Sequence, residues 1–256
     1  MGARKLKRAF ATSIAAIGIA ALPLSSFAHS HHHSESLVYA PDSEPFGKEF
    51  REWSAEWWQF VLSIPTADDP LQDVNPLHDE KGDRCVVGQR GPVWFLVGVF
   101  NDTGTAVRKD CRVPQGKALF FPVLNFVNIN TPGIPGCGTN GDEVCKNEKA
   151  KDLREAIAQV VSDATDLSVE IDNESIDAIK DEFRVKSKVF EITVPAKNLF
   201  RFLPAGTYSP AVDDGFYVML KPLSVGAHSI RMRGSFPNGF SMDVTYELTV
   251  VPTSLK

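Results

Sequence analysis

The stretch FSMDVTYELTVV, residues 240–251, decides the fold class. Phe240, Met242, Val244, Tyr246, Leu248 and Val250 alternate with Ser241, Asp243, Thr245, Glu247 and Thr249. Successive side chains of a strand point to opposite faces, so this alternation predicts one face on a core and the other in water. Upstream, FYVMLKPL (216–223) and HSIRMRGSF (228–236) have the same character and lead into it through short turns. Together they predict the closing run of an antiparallel sheet. The turn into a strand at LSVGAHSIRM has the form that immunoglobulin-like sandwiches use near their last hairpin.

Working back along the chain, SKVFEITVP (187–195) and LSVEID (167–172) also have strand character. VWFLVGVF (93–100) is apolar on both faces, NDTGTA is a turn, and VRKDCRVP and GKALFFPVLNFVNI continue as strands of a core sheet. Between these groups, EKAKDLREAIAQVVSDAT sets Leu153, Ile157, Val160 and Val161 at helical spacing. The fold class that follows is mainly β: an antiparallel β-sandwich, immunoglobulin-like or jelly-roll-like, with a second helix near 148–165 and a packed amphipathic helix at its N-terminal end.

That first helix is predicted from about Ser43, with Ser43 or Asp42 as its cap, to Ser63, where Pro65 stops it. Phe46, Phe50, Trp53, Trp57, Phe60, Val61 and Ile64 fall on one face. Trp58 lies about 100° around the axis from Trp57, beside Ser54 and Leu62 and on a flank that carries Arg51. Two readings follow: a helix wedged between two surfaces, with Trp58 filling the second, or an exposed aromatic platform in which Trp58 and Arg51 meet a ligand.

The N-terminus bounds the compartment. Arg4, Lys5, Lys7 and Arg8 precede the apolar run AFATSIAAIGIAALPL, which ends at Ser26-Phe27-Ala28. This is the pattern of a secretory signal peptide cleaved after Ala28, and it predicts a secreted or periplasmic protein. Removing residues 1–28 takes away four positive charges and no acidic ones, so the formal net charge moves from −5 to −9. Such a chain repels nucleic acid and anionic lipid, and no later segment is apolar for long enough to predict stable membrane insertion. The expected organisation is a signal peptide (1–28), a His-rich arm (29–42) and one β domain (43–252), with a subdomain break available near 146–166.

Four cysteines lie between residues 85 and 145, and an oxidising compartment favours their pairing. Of three pairings, Cys85–Cys111 and Cys137–Cys145 are preferred, the first tying the turn-rich passage 65–92 to a strand and the second closing the loop CGTNGDEVC.

No G-x-S-x-G, H-E-x-x-H, S-x-x-K, P-loop or C-x-x-C pattern occurs in the mature chain, which leaves few candidates for chemistry. His78, beside Asp79 in the 65–92 loop, is the best placed for a general base or metal ligand. His228 opens a strand and reads as a packed imidazole. Asp213 and Asp214 before Gly215 suit a turn or, less well, a calcium ligand pair. After cleavage at Ala28 the chain would start His29-Ser30-His31. An amine, two amides and the third-position imidazole make a planar nitrogen set that suits copper or nickel. No other cofactor is implied.

The Trp-rich helix, CVVGQRGPVWFL, CRVPQGKALFFPVLN, DDGFYVMLKPLSVGAHSI and VTYELTV together resemble a group of secreted bacterial proteins that carry no functional assignment. The resemblance spans most of residues 45–251 and implies a shared fold, with no catalytic residue to carry over. The expected function is a binding or structural module for a small molecule, glycan or protein. The alternative is a secreted hydrolase or metal-dependent enzyme that uses the 65–92 loop.

Overall fold

The computed structural model describes residues 36–137 and 143–253. After helix α1 (Phe50–Ser63) come strands β1 (Val93–Phe95), β2 (Thr105–Arg108), β3 (Arg112–Pro114), β4 (Ala118–Ile129), β5 (Pro135–Cys137) and β6 (Glu143–Val144). Helix α2 (Ala150–Ser162), β7 (Thr165–Ile171), β8 (Glu174–Ile176) and the single-turn α3 (Ile179–Glu182) follow. The chain closes with β9 (Arg184–Lys186), β10 (Phe190–Val194), β11 (Gly206–Leu220), β12 (Gly226–Ser235) and β13 (Ser241–Val251).

The described chain is therefore mainly strands with few helices, in two large sheets. One sheet runs β1-β4-β11-β10 with β9 also on β11, and the other runs β2-β13-β12-β7-β8 with β3 also on β13. The alternation of β13 holds: Met242, Val244, Tyr246, Leu248 and Val250 are buried, and they share one core with Leu119, Phe121, Phe216 and Val218 of the other sheet. The β12–β13 ladder is antiparallel from Gly226↔Val250 to Ser235↔Ser241.

The sheets are not purely antiparallel, which corrects the expectation. β1 pairs parallel with β4, and β2 and β3 pair parallel with β13. The chain leaves the first sheet after β1, adds β2 and β3 to the second, and returns as β4. A crossover of this kind permits parallel neighbours where a hairpin would not.

VWFLVGVF also forms less strand than its composition suggests. β1 ends at Phe95, and beyond it side chains satisfy Val97 and Gly98: Val97 N–H donates to Tyr246 Oη, and Arg108 donates to the carbonyls of Val97 and Gly98. Arg108 is fully buried and also caps the carbonyls of Pro76 and Asp79, so one guanidinium closes four backbone acceptors where the chain crosses between sheets.

α1 begins later than predicted. Its cap is Glu49, whose N–H is bonded by Glu52, because Pro45–Gly47 forms a separate 3₁₀ turn with Phe46 at φ 57°. Phe46 therefore leaves the apolar stripe and is 45% exposed. Phe50, Trp53, Trp57 and Val61 are buried, and so are Ser54, Trp58 and Leu62, as the wedged reading requires. The second helix stands where its spacing placed it and buries Leu153, Ile157 and Val161.

Cys85 and Cys111 form a disulfide with Cα atoms 5.5 Å apart. Cys145 is disulfide-bonded, but the side chain of Cys137 lies outside the described residues, and with it the second expected pairing. Among the described residues no helix is long and apolar enough to cross a membrane.

Candidate functional site

The site follows from an irregularity in β4. Phe216 of β11 faces Leu124 and Tyr217 faces Pro122, so Val123 is an extra residue, a β-bulge. The bulge reverses the alternation of β4. Before it, Leu119 and Phe121 face the other sheet while Phe120 meets α1; after it, Leu124 and Phe126 face the other sheet. Asn125 and Val127 are thereby turned to the α1 side.

The same stretch of β4 has an open edge. β1 covers only Ala118 to Phe120, and among the described residues no strand lies beside β4 on that side from Pro122 onward. The gap is a cavity of about 230 Å³. Its walls are Trp57 and Trp58 of α1, Leu77, Gly98 to Phe100, Leu124 to Val127, Leu199, Phe200, Phe236, Asn238, Phe240 and Met242. Among the described residues no charged side chain lines it, and its only polar side chains are Asn125 and Asn238. For scale, a dry engineered cavity of ~150 Å³ holds benzene.

Behind the wall lies a fully buried carboxyl group. Asp213 Oδ1 accepts from Trp58 Nε1 at 2.7 Å and from Tyr217 Oη at 2.8 Å, and Asn125 Nδ2 donates to Tyr217 Oη at 2.8 Å. The Trp58 N–H is only a donor, so Oδ1 is an acceptor. Asp213 Oδ2 has no hydrogen-bond partner among the described residues. Burial raises the Asp213 carboxyl to about 8, against the pull of Trp58 and Tyr217, with the charge of Asp214 adding to the rise. The acid is therefore mostly neutral at pH 7. Burial, then the Asp213 charge, also hold the Tyr217 phenol well above its ordinary range.

Two consecutive acids are accommodated because β11 is buried on both faces. Asp213 points to α1, while Asp214 points the other way and takes both Nε and Nη2 of Arg184. Gly215 is required by the close approach of the strands, since a Cβ there would lie 2.5 Å from Asn125 Cβ. The Asp-Asp-Gly sequence is thus a strand interior, and neither a turn nor a calcium pair; among the described residues no three His, Cys, Asp or Glu side chains cluster as metal ligands.

The expected site residues fall in separate places. Trp58 is 8% exposed, which removes the exposed platform, yet it forms a wall of the cavity. Arg51 pairs with Glu49 at the surface and does not line the cavity. Asp79 is buried and accepts from the N–H groups of Lys81, Gly82 and Arg84, a loop-closing role that takes it away from His78. His78 has a different acidic partner: its Nδ1 lies 2.7 Å from Asp73 Oδ2. Burial opposes ionisation of Asp73, but bonds from His78 and from the Asn75 and Ala67 N–H groups hold its carboxyl below the usual range. His228 is bonded to Asp172, in keeping with a packed imidazole. His29 and His31, with the copper or nickel site they would form, lie outside the described residues.

Asp213, Tyr217 and Asn125 were missed as a group. The only signal in the sequence was two adjacent acids inside a run otherwise fit for a buried strand. No family model, curated protein or solved structure matches the chain.

Proposed function

We propose that the protein is a secreted or periplasmic β-sandwich, immunoglobulin-like or jelly-roll-like, that binds a small apolar molecule in the cavity beside Trp58. Its kinship with secreted bacterial proteins sharing the Trp-rich helix belongs to the same proposal. The observation that carries it is an aromatic-walled space of about 230 Å³ with no charged side chain among the described residues of its wall. Apolar pockets with a few placed polar groups are the usual form of small-molecule sites. This volume is at the small end and suits one or two rings.

Thermal unfolding with and without naphthalene tests it, because a ligand that binds only the native state raises the melting temperature by mass action. The expected result is a saturable rise for the native chain and none for Val127→Trp, which fills the space from its half-buried wall. No rise with either protein contradicts it.

A hydrolytic reading rests on one observation. His78 is oriented by Asp73 and its ring centroid lies 6.4 Å from that of Phe100, a cavity wall. An imidazole held by a carboxylate has the arrangement of a general base. Turnover of a neutral aryl ester that falls at least ~100-fold in His78→Ala supports this second reading; no turnover by the native chain removes it.

A further inference from the structure

We propose that the ligand of this cavity is a neutral aromatic molecule carrying one O–H or N–H donor, of phenol or indole type, and that Asn125 selects it. The inference rests on the binding reading above and adds the chemistry of recognition.

The hydrogen-bond chain sets the orientation of the Asn125 amide. Tyr217 Oη donates to Asp213 Oδ1 and accepts from Asn125 Nδ2, so the proton of the neutral acid sits on Oδ2 and Nδ2 of the amide faces Tyr217. The amide oxygen is what remains. Asn125 lines the cavity, and its Oδ1 makes no hydrogen bond among the described residues. An acceptor presented in an apolar space is best matched by a ligand donor.

Charge is selected against on both signs. A carboxylate or ammonium entering the cavity would lose its hydration with no counter-charge among the described residues of the wall. Asp213 lies behind the wall and gives no compensation to a cation while protonated, and it repels an anion when ionised. The walls favour rings over flexible chains. The edges and faces of Trp57, Trp58, Phe126 and Phe240, with the thioether of Met242, offer edge-to-face and sulfur contacts that exceed simple area burial.

Calorimetric titration of the full chain with indole, 1-methylindole, naphthalene and indole-3-carboxylate separates the parts. The expected result is that indole binds about ten-fold more tightly than 1-methylindole or naphthalene, the size of one net hydrogen bond, and that indole-3-carboxylate binds at least ten-fold more weakly than indole. Asn125→Leu is expected to bring indole and 1-methylindole to the same affinity. Equal affinity of the native chain for indole, 1-methylindole and naphthalene overturns donor recognition while leaving the cavity as a binding site. Tight binding of the carboxylate overturns the exclusion of charge. No heat of binding with any of the four overturns both this inference and the binding reading. The comparison among ligands uses the native chain, so it stands even where Asn125→Leu does not fold.

Discussion

Asp213 is an acid whose folded environment favours its protonated form. Its carboxyl is raised to about 8 from an ordinary value of 3.8 by burial, so the native state holds a proton that the unfolded chain has lost over that interval. The sign follows from linkage: the contribution is fully present below the unfolded value and is lost as pH rises through about 8. The melting temperature of the native chain is expected to fall between about pH 4 and pH 8 and to level off above that. Asp213→Asn mimics the neutral acid and should show a flatter profile and a higher melting temperature above pH 7. An identical slope in both proteins would mean that the carboxyl is not the titrating group. Trp58→Phe removes the N–H held by Asp213 Oδ1 and should cost about 1–3 kcal/mol in denaturant unfolding, the range for a disturbed buried hydrogen bond. The sequence showed Trp58 leaving the apolar stripe of its helix. It could not show that a carboxylic acid more than 150 positions away would take its N–H.

At the scale of elements, the bulge at Val123 and the glycine opposite Asn125 shape the site. Gly215→Ala places a methyl group where Asn125 and the carbonyl oxygen of Leu124 stand, so it should cost about 1–3 kcal/mol, the usual range for overpacking, and loosen the Asn125–Tyr217 bond. Denaturant unfolding measures the cost. The Cys85–Cys111 bond closes a span of 26 residues that holds β1 and the crossover. Replacing both cysteines with serine should lower stability by roughly 3 kcal/mol on the loop-entropy account. Regular elements were legible because their signal is local: the alternation of β13 and the helical spacing of α2 lie within single windows. The truncation of β1 was not legible, because the partners of Val97 and Gly98 are side chains of other strands, Arg108 of β2 and Tyr246 of β13, the latter 149 positions away. The Asp-Asp-Gly stretch misled for a related reason. Turn chemistry is a local preference, and burial of both faces of β11 overrides it by giving Asp214 a guanidinium and Asp213 two neutral donors.

For the whole molecule, the decisive fact is where the two sheets part. The crossover from β1 to β2 leaves the edge of β4 bare, and α1 closes over it from the other side, so a space remains at the junction of helix, edge and the β12–β13 turn. Strand composition predicted the two-sided core but not this gap, since a gap is a property of pairing and not of any segment. The most direct test is a nitrogen–proton correlation spectrum of the native chain during titration with indole, reading the four tryptophan side-chain N–H signals. Saturable shifts are expected at Trp57 and Trp58, with Trp53 and Trp94 unchanged; saturable shifts confined to Trp53 or Trp94, or no saturable shift at Trp58, would rule out this cavity as the binding site.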